Sequence, residues 1–288
     1  MKIVFTGDDQ YFVGLHTSCI LMGIETIIWM PQHKPVFDMM HEQKPDILFI
    51  KSSHFHPVIA QAVQEYKVKV VLLGKPVESL PMLPDLWCIP DDAVKYSPQD
   101  ILYDCNKMIL GKGANIAEIR NGIHTDKWDT DILYLASENV PNAEPLFNLL
   151  HEACHNSDYK FRCYGLTYFP LPSYIGTVAV TEWSNLIKSA KVVIDFNASI
   201  LFDVAANQGF CLSSVESPLY PNFTNLESLK QQLDLYINNE KERRTISKQA
   251  YNVVMDGHTY VHRLGAVLGN MGIDVTDTVE TTLNKVRI

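Results

Sequence analysis

Short apolar runs alternate with helix-periodic segments over the first 75 residues of the chain. The apolar runs are rich in β-branched residues and end at glycine or charged residues, as buried strands do, while the segments between them place apolar residues at helical spacing. This pattern predicts strands at residues 2–6, 25–30, 46–50 and 68–73, separated by helices at 11–22, 36–43 and 57–66.

The alternation resumes after an irregular middle part. Residues 75–98 are rich in proline and predict no regular element, and a helix at ILYDCN (101–106) and a strand at KMILGKG (107–113) follow them. Further on, the pattern predicts strands at 131–136, 159–164, 192–196 and 210–213, helices at 143–155, 181–189 and 199–208, and a mostly helical tail at 226–272.

Strands that alternate with helices form parallel sheets covered by helices on both faces. We therefore predict the α/β class, with two Rossmann-like, doubly wound parallel-sheet domains that face a cleft. The predicted limits are residues 1–125 for the first domain, 126–257 for the second, and 258–288 for a helical tail that packs back toward the first domain. A length of 288 residues suits two domains better than one.

Composition narrows the class of protein. The chain has 24 Lys and Arg against 33 Asp and Glu, a net charge of −9, which disfavours indiscriminate binding to nucleic acid or to anionic membranes. It contains no apolar run near the roughly 18 residues of a membrane span, and its start does not read as a signal peptide. The six cysteines form no CxxC pair, which favours buried thiols in a reducing, cytoplasmic protein.

A candidate phosphate site follows the strand VVIDF. In open α/β sheets, ligands bind beyond the carboxyl ends of the strands. There, Asn197 and Ser199 lead into a helix, whose N-terminus presents free N–H groups to an anion. Asp203 in its first turn is placed to accept hydrogen bonds from ribose hydroxyls, and Gly165 ends a neighbouring strand. The alternatives are a plain helix cap for Ser199 and a surface acid for Asp203.

Three segments in the same order resemble the GT-B glycosyltransferases, in particular the CgeB-like and GT4-like branch: IRNGIHTDKW (119–128), NASILFDVAANQGFCLSSVES (197–217) and HTYVHRLGAVL (258–268). This resemblance implies a metal-independent enzyme without a cofactor that transfers a sugar from a nucleotide donor, expected to be UDP-linked, to an acceptor hydroxyl. Small GT-B enzymes of phages suggest one acceptor, a hydroxymethylated base in DNA. Whether the sugar is a hexose or a pentose, and the oligomeric state, stay open.

The sequence also departs from that family. Asp203 stands where the family usually has Glu, and His124 where Asp is common. The loop SENVPNAEP (137–145) lacks a basic residue, so the resemblance leaves the diphosphate charge to the helix dipole and to Lys188, His258 or Arg263. These departures keep open a second reading, a catalytically lapsed GT-B protein that serves as a binding or scaffold module.

Candidate bases follow the predicted strands of the first domain. His54 and His56 lie in the loop after the third strand, and an imidazole near its ordinary pKa can accept a proton from an acceptor hydroxyl at neutral pH. Asp9 and its neighbour Asp8 follow the first strand and offer a carboxylate instead. Solvated loop residues without a catalytic role are the competing interpretation for all four.

Two metal-binding patterns compete with this reading. His151-Glu-Ala-Cys-His155 has the HExxH spacing of zinc proteases, but no third ligand is evident in the sequence. Asp129-Thr-Asp131 resembles a metal-binding DxD motif, but it precedes a strand instead of following one. We therefore predict no metal site and keep the zinc protease as the weakest alternative.

Overall fold

A computed structural model describes residues 1–7, 10–91, 99, 103–136, 143–154, 158–165, 174–198 and 200–287. The chain divides into two compact units. The first combines Met1–Gly113 with Thr259–Arg287, and the second comprises Ala114–His258. Within the described ranges, no helix combines the length and apolarity needed to cross a membrane.

The first unit is built on a parallel sheet of six described strands in the order β2-β1-β3-β4-β5-β6. The strands are β1 (Lys2–Thr6), β2 (Glu25–Trp29), β3 (Ile47–Lys51), β4 (Lys69–Leu73), β5 (Leu86–Pro90) and β6 (Asn106–Leu110). The central strands β1, β3 and β4 are apolar except at their ends, as expected where helices cover both faces of a sheet.

Helices α1 (Gln10–Leu21), α2 (Val36–Gln43) and α3 (Pro57–Tyr66) connect the first four strands. One face of the sheet packs α2 and α3 against a cluster of buried side chains, with Trp87 of β5 among the largest. The sequence missed β5, which was predicted to be irregular. Its five residues lie in a proline-rich stretch and end at Pro90, and such a stretch predicts no strand. The strand nevertheless forms hydrogen bonds to both β4 and β6.

The second unit contains a five-stranded parallel sheet in the order β11-β10-β7-β8-β9. Its strands are β7 (Thr130–Ala136), β8 (Phe161–Gly165), β9 (Tyr174–Thr177), β10 (Ala190–Asp195) and β11 (Cys211–Ser213). The sequence analysis predicted four of them within about two residues and missed β9, whose four residues alternate between partly buried and exposed. The fold class predicted from the sequence, two parallel-sheet α/β domains, is confirmed.

The helices of the second unit lie between its strands and after its last strand. They are α4 (Ala143–Cys154), α5 (Trp183–Ser189), α6 (Leu201–Ala206), α7 (Leu226–Asn238) and α8 (Glu240–Gly257). Asn225 begins α7 with a capping box, and Asn239 caps the N-terminus of α8, so two adjacent helices are separated by one residue.

The chain ends in α9 (Tyr260–Asn270) and α10 (Thr276–Val286), which cluster with the first unit. Here α9 packs against α1, and α10 packs against α9. The division at Gly113 lies about a dozen residues before the boundary expected from the sequence. Residues 114–125 group with the second unit because their backbone bonds to its helices, for example Thr125 N to Ser189 Oγ at 3.0 Å.

All six cysteines are free thiols, and five of them are buried. Burial raises the pKa of the Cys19, Cys154 and Cys163 thiols to about 12. Apolar surroundings disfavour the thiolate, so these side chains act as core residues.

Candidate functional site

The carboxyl edge of the second sheet is the expected ligand-binding edge of this unit. The loops after β7 and β8 fall partly outside the described residues, which leave out residues 137–142 and 166–173. The turn after β10 is described except for Ser199. Its Ala198 has a φ of 57°, a left-handed conformation that non-glycine residues adopt at a cost of about 1 kcal/mol or more.

Asp195, at the end of β10, is a buried carboxylate that the sequence analysis did not single out. Its residue is 2% exposed, its Oδ1 accepts a hydrogen bond from Asn197 N at 3.4 Å, and its backbone oxygen accepts one from Ser214 N at 2.9 Å. Burial, together with the negative charge of Asp195, raises the pKa of the Tyr134 hydroxyl. The signal in the sequence was an acid closing the apolar run VVID, a position that faces the ligand edge.

Asp203 lies in the first turn of α6 and is tied to the segment that enters the second unit. Its Oδ1 accepts a hydrogen bond from Asn115 N at 2.8 Å. Burial, opposed by the hydrogen bond from Asn115 N and assisted by the charges of Glu118 and Asp195, raises the pKa of this carboxyl to about 7. Near neutral pH, Asp203 therefore exists in both protonation states and can donate or accept a hydrogen bond.

Asn207, at the end of the same helix, holds the same segment at a second point. Its Oδ1 accepts Gly122 N at 3.1 Å, and its Nδ2 donates to Ile119 O at 3.2 Å. Gly122 lies against α5 so closely that a Cβ there would be 1.9 Å from Ser184 O. The glycine of the motif IRNGIHTDKW is thereby explained, because only glycine allows this approach.

Lys188 lies at the opposite, amino edge of the sheet. It is in the last turn of α5, directly before β10, and its Nζ donates to Asn207 O at 3.3 Å. The structure therefore does not bring Lys188 together with Asn197 and Asp203, the residues with which the sequence analysis grouped it.

His258 and Arg263, two further residues expected from the sequence to meet the diphosphate, belong to different units. The ring of His258 stacks on Phe202 of α6, with centroids 5.6 Å apart and planes inclined by 8°, which places it beside the helix of Asp203. Arg263 belongs to the first unit, where its Nε donates to Gly111 O and Lys112 O, both at 3.1 Å. Burial lowers the pKa of its guanidinium.

The predicted bases of the first unit are His54, in a short 3₁₀ turn after β3, and His56, before α3. Both side chains are exposed, and the backbone oxygen of His56 accepts the N–H groups of Ile59 and Ala60. The loop is anchored by Ser52, which is buried and donates to Lys75 O at 3.0 Å. Asp9, like Asp8 and Ser199, lies outside the described residues.

The acids of the DxD motif have ordinary partners, and the HExxH motif is described only in part. Asp131 forms an ion pair with Lys191 at 2.6 Å and accepts Lys160 N at 2.8 Å. Burial raises its pKa, but these donors outweigh burial and lower it. His155 lies outside the described residues, and the described part of the chain contains no group of three His, Cys, Asp or Glu that could hold a metal ion.

Two parallel-sheet α/β units of this topology define the GT-B fold, and solved GT-B structures match the chain over most of its length. A glycosyltransferase from Rickettsia africae matches with a TM-score of 0.63 at 11% identity, covering 94% of this chain and 97% of that one. Anabaena HepE in complex with UDP and glucose matches with 0.62 at 9% identity, covering 94% and 99%. A UDP-GlcNAc 2-epimerase from Methanocaldococcus jannaschii matches with 0.51 at 11%, covering 89% and 100%.

The family model described as "Glycosyl transferase-like" matches residues 147–269. This stretch includes the turn after β10, helix α6 and strand β11. No curated protein sequence matches significantly. The resemblance to GT-B glycosyltransferases is confirmed by the fold and by this family match, whereas the CgeB-like branch and a phage-type role stay predictions.

Proposed function

We propose that this protein is a glycosyltransferase that binds a nucleotide-sugar donor, UDP-linked, at the carboxyl edge of its second sheet. The observation that supports this most is the glycosyl transferase-like match over residues 147–269, because it contains both Asp195 and Asp203. Structures of similar fold in complex with UDP, such as that of Anabaena HepE, support the choice of nucleotide.

The carboxylates at this edge suit the ribose of a nucleoside diphosphate but are unusual neighbours for its phosphates. Asp203 can accept hydrogen bonds from ribose hydroxyls, as a carboxylate at this helix does in the resembling family. Two carboxylates near a diphosphate would repel it, but the raised pKa of Asp203, about 7, leaves a large neutral fraction near neutral pH. A protonated Asp203 repels no phosphate and can donate a hydrogen bond instead.

Donor binding can be tested by calorimetric titration of the protein with UDP and UDP-sugars. Asp203→Ala should weaken binding by about 1 to 3 kcal/mol, because ribose hydroxyls would lose their acceptor in a desolvated site. Glu152→Ala, an exposed acid on α4, is the matched control and should bind UDP normally. The same variant removes the glutamate of the HExxH pattern, so any proteolysis by the parent that persists in Glu152→Ala would contradict the protease alternative. Equal affinity in all three proteins would contradict the donor site.

A 2-epimerase is the second candidate, because the similar folds include an enzyme with that name. The family match favours transfer. The two reactions give different products, since transfer or hydrolysis releases UDP, whereas epimerisation returns a nucleotide sugar with an inverted C2. Proton NMR of the incubated donor distinguishes them, and UDP binding without either product would indicate the lapsed binding module.

The acceptor belongs to the finer part of the proposal. A hydroxymethylated base in DNA was expected from the resemblance, and His54, His56 and Asp9 stay predicted bases for its hydroxyl. Incubating the protein with a UDP-hexose and duplex DNA that contains 5-hydroxymethylcytosine, followed by mass spectrometry of the nucleosides, tests this acceptor. Transfer that persists in EDTA would support the predicted metal independence, and loss on chelation would contradict it.

A further inference from the structure

A basic cavity of about 920 Å³ opens at the amino edge of the second sheet. Its walls are the end of α5, the start of β10, residues 208–210 before β11, and one face of α8. The α8 residues that line it recur three and four positions apart, as one helix face requires. The cavity is thus formed within a single unit.

The cavity concentrates positive charge in an acidic protein. Five Lys and Arg residues line it against two acids, which gives 5 − 2 = +3 in a chain of net charge −9. The five cationic residues are Lys188, Lys191, Arg243, Arg244 and Lys248, and the acids are Asp129 and Glu240.

Internal partners engage part of this charge, and Lys191 is already paired with Asp131 at 2.6 Å. Arg243 donates to the backbone oxygens of Tyr236 and Ile237 at the end of α7. Arg244 pairs with Glu240 at 2.5 Å, but both side chains are well exposed, so this pair neutralises little of the local field. Burial, and then the charge of Arg244, lowers the pKa of Lys188. Like charges therefore repel across the cavity, which an anion would relieve.

We propose that this cavity is a second ligand site, which binds a small anion with two or more phosphate groups. Its volume lies within the roughly 300 to 1,000 Å³ typical of small-molecule pockets. Lysines from α5 and β10 face the site together with Arg244 and Lys248 of α8, so cations come from separate elements. A diphosphate, with its adjacent charges, satisfies several cations at once, whereas a single phosphate satisfies fewer.

The site is distinct from the proposed donor site and does not depend on it. Lys188 lies in the last turn of the helix before β10, whereas Asp195 lies at the opposite end of that strand. None of the residues that line the cavity follows the carboxyl end of a strand of this sheet. A ligand here is therefore expected to bind together with UDP and not to compete with it.

The test uses inorganic pyrophosphate as the probe, titrated calorimetrically into the full chain at low salt, with and without saturating UDP. Arg244→Gln/Lys248→Gln removes two exposed lining charges and should weaken binding about tenfold or more. Lys241→Gln/Lys285→Gln removes the same charge from exposed positions outside the cavity and should leave affinity unchanged.

Pyrophosphate binding that persists in saturating UDP, and that only the cavity variant weakens, supports the proposal. Absence of binding, displacement by UDP, or an equal loss in both variants overturns it. Orthophosphate and a single-stranded oligonucleotide serve as further probes. Tighter binding of orthophosphate than of pyrophosphate would overturn the requirement for two phosphates. Binding of the oligonucleotide alone would overturn the proposal of a small-molecule site. Failure of UDP to bind would count against the proposed function and not against this site.

Discussion

Replacing Asp203 by Asn should make the protein more stable at mildly alkaline pH and leave its stability almost unchanged at acidic pH. The asparagine keeps an Oδ1 that can accept the Asn115 N–H and removes the charge. The folded carboxyl has a pKa of about 7, raised first by burial from the ordinary 3.8 of the unfolded chain. The unfolded chain thus releases this proton at lower pH than the folded protein.

The sign and the size follow from proton linkage. Between about pH 4 and pH 7 the folded state binds the extra proton, so the contribution of Asp203 to the free energy of unfolding falls as the pH rises. The full difference between 3.8 and about 7 corresponds to roughly 4 kcal/mol. Because the residue is partly exposed, solvent reduces this, and we expect the variant to gain about 2 kcal/mol relative to the parent between about pH 5 and pH 8.

Urea unfolding of parent and variant at both pH values measures this gain. Asp158→Asn, an exposed aspartate of the same unit, is the control and should show no pH-dependent difference. Glu118→Gln should reproduce part of the gain, because the charge of Glu118 contributes to the raised pKa. If the difference in free energy of unfolding between Asp203→Asn and the parent is the same at both pH values, the pKa of Asp203 is not raised. The neutral fraction of Asp203 that we invoke for diphosphate binding would then be refuted as well.

Three further predictions concern stability and reactivity. Asn207→Ala should lower the free energy of unfolding by about 2 to 4 kcal/mol, because Gly122 N and Ile119 O lose their partner; a loss below about 0.5 kcal/mol in urea unfolding would contradict this. Thr259→Ala removes the capping box that begins α9 and should cost about 1 kcal/mol, measured as a lower midpoint of thermal unfolding; an unchanged midpoint would argue against the cap. Cys105, the one cysteine that is not fully buried, should react first with a thiol reagent under native conditions, and Cys105→Ser should abolish that first phase.

The fold could be predicted from the sequence because buried parallel strands leave a strong pattern. Runs such as VVLL and VVI are apolar on both faces, and helices such as α2, α3 and α4 are amphipathic. The missed strands β5 and β9 are four or five residues long, and one ends at a proline. Each is defined by hydrogen bonds to a neighbouring strand, and such pairing is a tertiary property that local patterns do not encode.

The site was only partly predictable. Asp203 was selected because it lies in the first turn of a helix at the expected ligand edge. The structure adds what the sequence could not contain: the burial, the Asn115 N–H and the nearby carboxylates that together set its pKa. Asp195 was overlooked because an acid at the end of an apolar run reads equally well as a strand boundary. Its burial, at 2% exposure, distinguishes the two readings.

The placement of Lys188 follows from a rule of chain direction. In a parallel α/β unit, each helix runs back from the carboxyl edge to the amino edge, so a cation in its last turn emerges beside the start of the next strand. Lys188 ends α5 and precedes β10, and it therefore contributes to the basic cavity and not to the ligand edge. The same rule assigns the turn after β10, with Asn197 and Asp203, to the ligand edge. Chain direction thus separates two groups of residues that lie close in sequence, and it explains how the proposed UDP site and the proposed anion site can both lie in one unit.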